Sequence, residues 1–269
     1  MQPIGPTFHK TFPIQLPVLS SFLRALKECG PEASQESIRQ ASGIGTMKVP
    51  ASFGYAKGAG FLDHRQRLTP LGARVLEKDP GFESPTTLWL LHAGLCGVSP
   101  MAPLFWRALW QALRPGESVE RARLVQKVLE CYPQGRLKQE YAGTCVTVFA
   151  SSYLKPEGLL SLRLLEGGGS ALHSPLREAD PPTGVFAYAV VELWDRMHPG
   201  QLTSDLDGFV RESGITEVFR ISAPRAVSLL EGVRNLGLID LYRSAPPFQI
   251  VRRWTDALEA LDCLYDADV

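Results

Sequence analysis

The chain of 269 residues has no excess of either charge: 28 Lys and Arg stand against 28 Asp and Glu. That balance excludes a chain that is polybasic throughout, although a neutral sum can hide basic patches that are offset elsewhere. Long apolar runs are missing as well. The longest, Leu88 to Leu95, is broken by His92 and is far too short to span a bilayer, so no membrane partner is expected. The opening residues, Met1-Gln2-Pro3-Ile4-Gly5-Pro6, have neither the charged start nor the apolar stretch of a secretory signal, and a cytoplasmic location follows as an expectation. Cysteine is sparse: Cys29, Cys96, Cys131, Cys145 and Cys263 lie at long, unequal separations without a Cys-x-x-Cys pair. The five histidines are equally dispersed. Spacing of this kind proposes no metal site and no Cys/His catalytic pair, and suggests buried or incidental thiols in a reducing compartment. Phosphate loops of the common types are absent, because Gly167-Gly168-Gly169 is followed by Ser170-Ala171-Leu172 with no Lys or Thr. No Gly-x-Ser-x-Gly elbow occurs either. The expectation is a non-enzyme with no cofactor, and nothing in the spacing sets an oligomeric state.

What the sequence does contain is ordinary globular material, 45% hydrophobic and 21% charged, in a length that suggests two or three folding units. Loop-rich stretches at Pro100 to Pro103 with Arg114-Pro115-Gly116, and from Gly167 to Gly184, punctuate it. The second reads as a linker. Boundaries at 1–113, 114–172 and 184–269 follow. Apolar residues recur mostly at three and four positions, as in Phe22, Leu23 and Leu26, which is the helical period. Strands are few; the clear pair is Leu238 to Tyr242 and Phe248 to Val251 around Ser244-Ala245-Pro246-Pro247.

The N-terminal segment reads as a helix from Val18 to Cys29 and a short one capped by Ser34. After the Gly43-Ile44-Gly45 turn comes a third helix from about Thr46 to Ala59, stopped by Gly60. Phe61-Leu62 and Arg67-Leu68 flank the polar tip Asp63-His64-Arg65-Gln66, and Thr69-Pro70 opens another helix. That order is a winged helix-turn-helix. The C-terminal third repeats it, with helices at Leu202 to Glu212 and from Ser222 to Leu236 before the hairpin; Val218 to Ile221 is left open between strand and helix. A middle unit, with helices at Val119 to Cys131 and Leu137 to Tyr153, is a degenerate copy. The fold class expected is mainly α, with tandem winged helix-turn-helix units and small β-hairpins.

In this fold the third helix enters the major groove and the wing meets phosphates. From Ile38 to Arg74 the chain carries Arg39, Lys48, Lys57, Arg65, Arg67 and Arg74 against Asp63 alone. Lys48, Ser52 and Lys57 on the third helix, with Arg65 and Arg67 on the wing, are the expected contacts to double-stranded DNA, and Arg225 and Arg243 are their C-terminal counterparts. The last 14 residues carry Asp256, Glu259, Asp262, Asp266 and Asp268 without Lys or Arg, an acidic helix. The competing reading is a protein-interaction module. Trp89, His92, Trp106 and Trp110 lie at near-helical spacing, as a packed helix would place them, and the apolar face at Trp106 and Trp110 is the candidate surface for joining a partner subunit. A third reading makes these aromatics a small-molecule sensor.

Certain runs resemble a known family. Phe8-His9-Lys10-Thr11-Phe12, Gly43-Ile44-Gly45-Thr46-Met47, Leu68-Thr69-Pro70-Leu71-Gly72, Asp79-Pro80 and Glu83-Ser84-Pro85-Thr86-Thr87-Leu88-Trp89-Leu90-Leu91-His92 are similar to the bacterial family called domain of unknown function 4007. Phe8 and Lys10 stand where that family usually has Gly and Glu. The resemblance implies neighbours in DNA sulfur modification and anti-phage defence. It makes the expected role a DNA-binding accessory or regulator of such a system, with an adaptor assembling defence-system protein subunits as the alternative.

Overall fold

A computed structural model describes residues 2–133 and 135–265 of the chain. The protein is mainly α-helical with small β-hairpin elements, in two compact units, Met1–Arg177 and Glu178–Val269. The first takes in both segments expected at 1–113 and 114–172. The division falls inside the expected linker, whose first half is not a free connection because it contains a strand.

The first unit opens with α1 (Leu16–Cys29), followed by α2 (Gln35–Ser42), whose first turn is satisfied by the Ser34 hydroxyl accepting the Ser37 N–H at 3.1 Å. Next, α3 (Lys48–Ala59) ends at Gly60, where a φ of 85° suits a residue without Cβ. A single antiparallel bridge, Leu62 to Leu68, forms the small hairpin before α4 (Pro70–Lys78), capped by Thr69. The helix α5 (Pro85–Ala93) runs straight into a π-helical turn, Gly94–Val98. Any Cβ on Gly94 would collide with the Ala59 carbonyl, so glycine is what lets this turn press against the end of α3.

The unit continues with α6 (Leu104–Ala112), β1 (Ser118–Glu120), α7 (Arg121–Glu130), α8 (Gln139–Leu154), a 3-10 turn at Leu160–Leu162, and β2 (Ala171–His173). Antiparallel pairing sets Val119 of β1 opposite Leu172 of β2, and Glu166 bridges His173. The residues from 118 to 120 are therefore strand rather than the start of a helix. Thr144, Val146, Thr147 and Val148 are poor helix formers, yet α8 runs through them, because Val146, Val148 and Phe149 are buried and packing outweighs propensity.

The second unit is α9 (Thr183–Met197), β3 (Thr203–Asp205), α10 (Leu206–Ser213), α11 (Ile215–Phe219), α12 (Ala223–Asn235), β4 (Ile239–Tyr242), β5 (Gln249–Arg252) and α13 (Glu259–Asp262). Its sheet is antiparallel in the order β3-β5-β4. The stretch left open at 218–221 finishes a helix and turns at Arg220, with φ 56°. Trp194, Phe209 and Trp254 form the aromatic centre of this core. Of the acidic C-terminal helix only α13 is helical among the described residues; Asp266 and Asp268 lie outside them. No helix of the described residues is long and apolar enough to cross a membrane.

Candidate nucleic-acid interface

The helix nominated to read DNA is largely enclosed by its neighbours, with buried residues around most of its circumference. Val49, Ala51, Ser52, Phe53, Tyr55, Ala56, Gly58 and Ala59 are buried, under α1, α2, α5, the π-helical turn and the N-terminal segment. Phe8 sits so close to Gly54 that a Cβ there would fall 2.7 Å from its ring. Ser52 is only 4% exposed, which corrects its assignment as a DNA contact. Lys48 and Lys57 are both half-buried, and nine helical residues separate them by about 180° around the axis and about 13 Å along it. They share no face. Lys48 lines a small crevice with Phe12, Gln15 and Val18, whereas the Lys57 ammonium lies 3.5 Å from the His64 carbonyl oxygen at the hairpin tip.

The cationic excess counted from 38 to 74 shrinks once carboxylates just outside that window are included. Arg39 donates to Glu36 at 2.7 Å, a hydrogen bond that holds the Glu36 carboxyl down to about 2. Arg67 pairs with Asp63 at 3.0 Å and Arg74 with Glu77 at 3.7 Å. Lys48, Lys57 and the exposed Arg65 remain without a carboxylate partner among the described residues. Lys57 thus reaches the hairpin tip, where Arg65 follows His64 in sequence.

In the second unit the nominated arginines are committed to acids of that same unit. Arg225 pairs with Asp180 at 2.6 Å, Arg243 and Arg234 share Glu231 at 3.4 and 3.2 Å, Arg252 pairs with Asp195 at 3.0 Å, and Arg253 with Asp240. Arg220 is buried. Exposed pairs of this kind add little stability, about 0–1 kcal/mol each, but they neutralise the surface, so a phosphate has to displace a carboxylate. The sequence's zero net charge divides along the same line. The first unit has 20 Lys and Arg against 13 Asp and Glu, the second eight against 15, net charges of +7 and −7.

The aromatic residues form core, not surface. Trp106 and Trp110 are 0% and 1% exposed, which corrects the expectation of an apolar docking face there. Their indole N–H groups both donate to the Tyr153 hydroxyl, at 3.0 and 3.2 Å, and that hydroxyl lies 2.8 Å from Nδ1 of buried His92. Burial raises the Tyr153 phenol well above its ordinary range. His9 is also buried. Its Nδ1 accepts the Thr11 N–H at 3.0 Å, which places the ring proton on Nε2, 3.5 Å from the Cys145 sulfur. Burial, then the Lys10 charge, lowers His9 to about 4, and burial pushes Cys145 up to about 12. A neutral imidazole beside a protonated thiol supplies no nucleophile at neutral pH.

One cationic feature escaped the reading of the sequence. A cleft of about 560 Å³ lies between α6 and α7, lined by Arg114, Arg123 and Lys127 with Glu117 and Glu130. Arg123 and Lys127 are four residues apart on α7, a same-face spacing that is visible in the sequence. Arg114 reaches the cleft from the loop after α6, which only the folded chain reveals.

Two crystal structures of SspB are similar in fold. One, described as magnesium ion-bound, has 18% identity and a TM-score of 0.76; the other has 20% and 0.74. Each alignment covers 97% of this chain and 87% of that one. Neither a protein-family model nor a curated protein sequence matches the chain. Likeness at this identity is likeness of fold. Among the described residues, no three His, Cys, Asp or Glu side chains gather as metal ligands, and the magnesium ion is a feature of that other structure.

Proposed function

We propose that the protein is a non-enzymatic DNA-binding accessory or regulator of a bacterial defence or DNA-modification system, and that its first unit carries the DNA contact. The order α1–α2–α3–hairpin in the first unit, and α9–β3–α10–α12–β4–β5 with sheet order β3-β5-β4 in the second, supports reading them as winged helices. The observation that carries the proposal is the pair Lys57 and Arg65 at the hairpin tip, whose side chains have no ion-pair partner among the described residues, set in a unit of net +7. Contacts run to the phosphate backbone through Lys57 and Arg65 at the hairpin, joined by Arg67 where DNA displaces Asp63, while Lys48 lies on the opposite face of α3. With α3 buried, base reading plays no part. Arg225 and Arg243 contribute only where DNA displaces Asp180 and Glu231. Anisotropy of a labelled duplex titrated with the full chain at about 50 and about 200 mM salt tests this. Two to three phosphate contacts correspond to an affinity loss of about ten- to fortyfold across that interval. No binding at the lower salt overturns it.

A second reading, an adaptor that joins defence-system subunits without touching DNA, is favoured by the second unit, whose acids outnumber its cations and whose arginines are already neutralised. Its surface suits a protein better than a polyanion. Failure of DNA binding at low salt leaves this reading in place.

A further inference from the structure

We propose that the cleft between α6 and α7 is a nucleotide site, taking a 5′-phosphate monoester either from a free nucleotide or from the end of a nucleic-acid strand. Its volume, about 560 Å³, is more than a bare phosphate needs and falls within the range of small-ligand sites. The cations define the ligand's head. Arg114 and Arg123 are exposed and have no carboxylate partner among the described residues, while Lys127 pairs with Glu130 at 2.8 Å and so cancels it. Two uncommitted guanidiniums, each with a planar fork of donors, match the oxygens of a terminal phosphate, which carries more charge than a diester in mid-strand.

The remaining groups define the body. Glu117 and Gln111 bring acceptors to a cleft whose other walls are alanine and cysteine, and sugar hydroxyls or base amino groups are the donors that complement them. A nucleotide has both a dianionic phosphate at one end and hydroxyl and amino donors at the other, and its size suits the cleft. Neither Lys57 nor Arg65 lines this cleft, so the site does not rest on duplex binding at the hairpin. Cys131 does line it, half-buried, with its thiol donating to the Lys127 carbonyl at 3.3 Å, and it reports occupancy.

The test uses the full chain with four probes: adenosine 5′-monophosphate, a short single-stranded oligonucleotide bearing a 5′-phosphate, the same strand with a 5′-hydroxyl, and inorganic phosphate. Calorimetry gives the affinities, and peptide mapping of iodoacetamide-treated protein gives protection of Cys131. The monophosphate, the phosphorylated strand or both bind at least tenfold more tightly than the two controls and slow Cys131 alkylation. Binding of the monophosphate alone identifies the free nucleotide as the source, and binding of the phosphorylated strand alone identifies a strand end. Arg123→Ala and Arg114→Ala each weaken binding at least tenfold, and Arg123→Lys weakens it less. Equal affinity for phosphorylated and hydroxyl strands with no binding of the monophosphate, no discrimination from inorganic phosphate, or indifference to Arg123→Ala overturns the site.

Discussion

The Tyr153 hydroxyl accepts the indole N–H of Trp106 at 3.0 Å, deep inside the first unit. It also accepts from Trp110 at 3.2 Å and is hydrogen-bonded to His92 Nδ1 at 2.8 Å. One buried oxygen on α8 thus serves polar groups on α5 and α6. Tyr153→Phe keeps the ring and deletes that oxygen. Because a buried polar group deprived of its partner costs about 1–3 kcal/mol, the variant loses about 2–4 kcal/mol of stability with an unchanged dependence on denaturant. Urea unfolding followed by tryptophan fluorescence measures this, and a loss below about 1 kcal/mol contradicts the shared-acceptor account.

His9 makes stability depend on pH in a set direction. Burial, then Lys10, brings its folded pKa to about 4, below the ordinary 6.5. Between those values the unfolded chain binds more protons than the folded one, so stability rises with pH across the window. As pH falls from 6.5 the contribution declines, and the decline levels off below about 4, with a total on the order of 3 kcal/mol. His9→Gln flattens the profile between pH 4 and 6.5. Denaturant titrations of both proteins across that interval check it, and parallel profiles exclude His9 as the origin.

The thiols differ by position. Cys29 is exposed at the end of α1, Cys131 and Cys263 are half-buried, and Cys96 and Cys145 are buried. Burial holds Cys145 near 12, where thiolate is negligible at neutral pH. An aromatic disulfide reagent therefore titrates Cys29 first in native protein, while Cys96 and Cys145 react only on unfolding. Fast modification of Cys145 in native protein contradicts the closed packing of the N-terminal segment.

Local signals in the sequence were legible where the structure they encode is local. Ser34, Thr69 and Ser222 cap the helices they were expected to cap, and the C-terminal hairpin pairs within a few residues of its expected ends. What escaped is set by distant partners. β1 and β2 pair Ser118 with His173, and Arg225 finds Asp180 45 residues away. The window from 38 to 74 excluded Glu36 and Glu77, and thereby overstated the free charge of the candidate interface. The burial of α3 was readable from apolar residues around most of its circumference, as was the α7 pair Arg123 and Lys127. The sequence-wide charge balance concealed both the +7 and the −7.

Charge reversal at four sites separates the DNA contact from the scaffold. Lys57→Glu and Arg65→Glu sit beside the hairpin tip, where the Lys57 ammonium lies 3.5 Å from the His64 carbonyl oxygen and has no carboxylate partner among the described residues, so each removes a phosphate contact and repels the duplex. Each lowers duplex affinity about tenfold or more at low salt and reduces the slope of log affinity against log salt by about one. Lys48→Glu acts from the opposite end and face of α3, and its effect on affinity is smaller. Arg225→Glu meets Asp180 at 2.6 Å, so it places two like charges together and costs less than about 1 kcal/mol at this exposed position, while duplex affinity stays unchanged. Anisotropy titrations with circular dichroism as a folding control read all four. An Arg225→Glu loss equal to that of Lys57→Glu moves the contact into the second unit and reverses the assignment, because a neutralised arginine then has to exchange its carboxylate for phosphate.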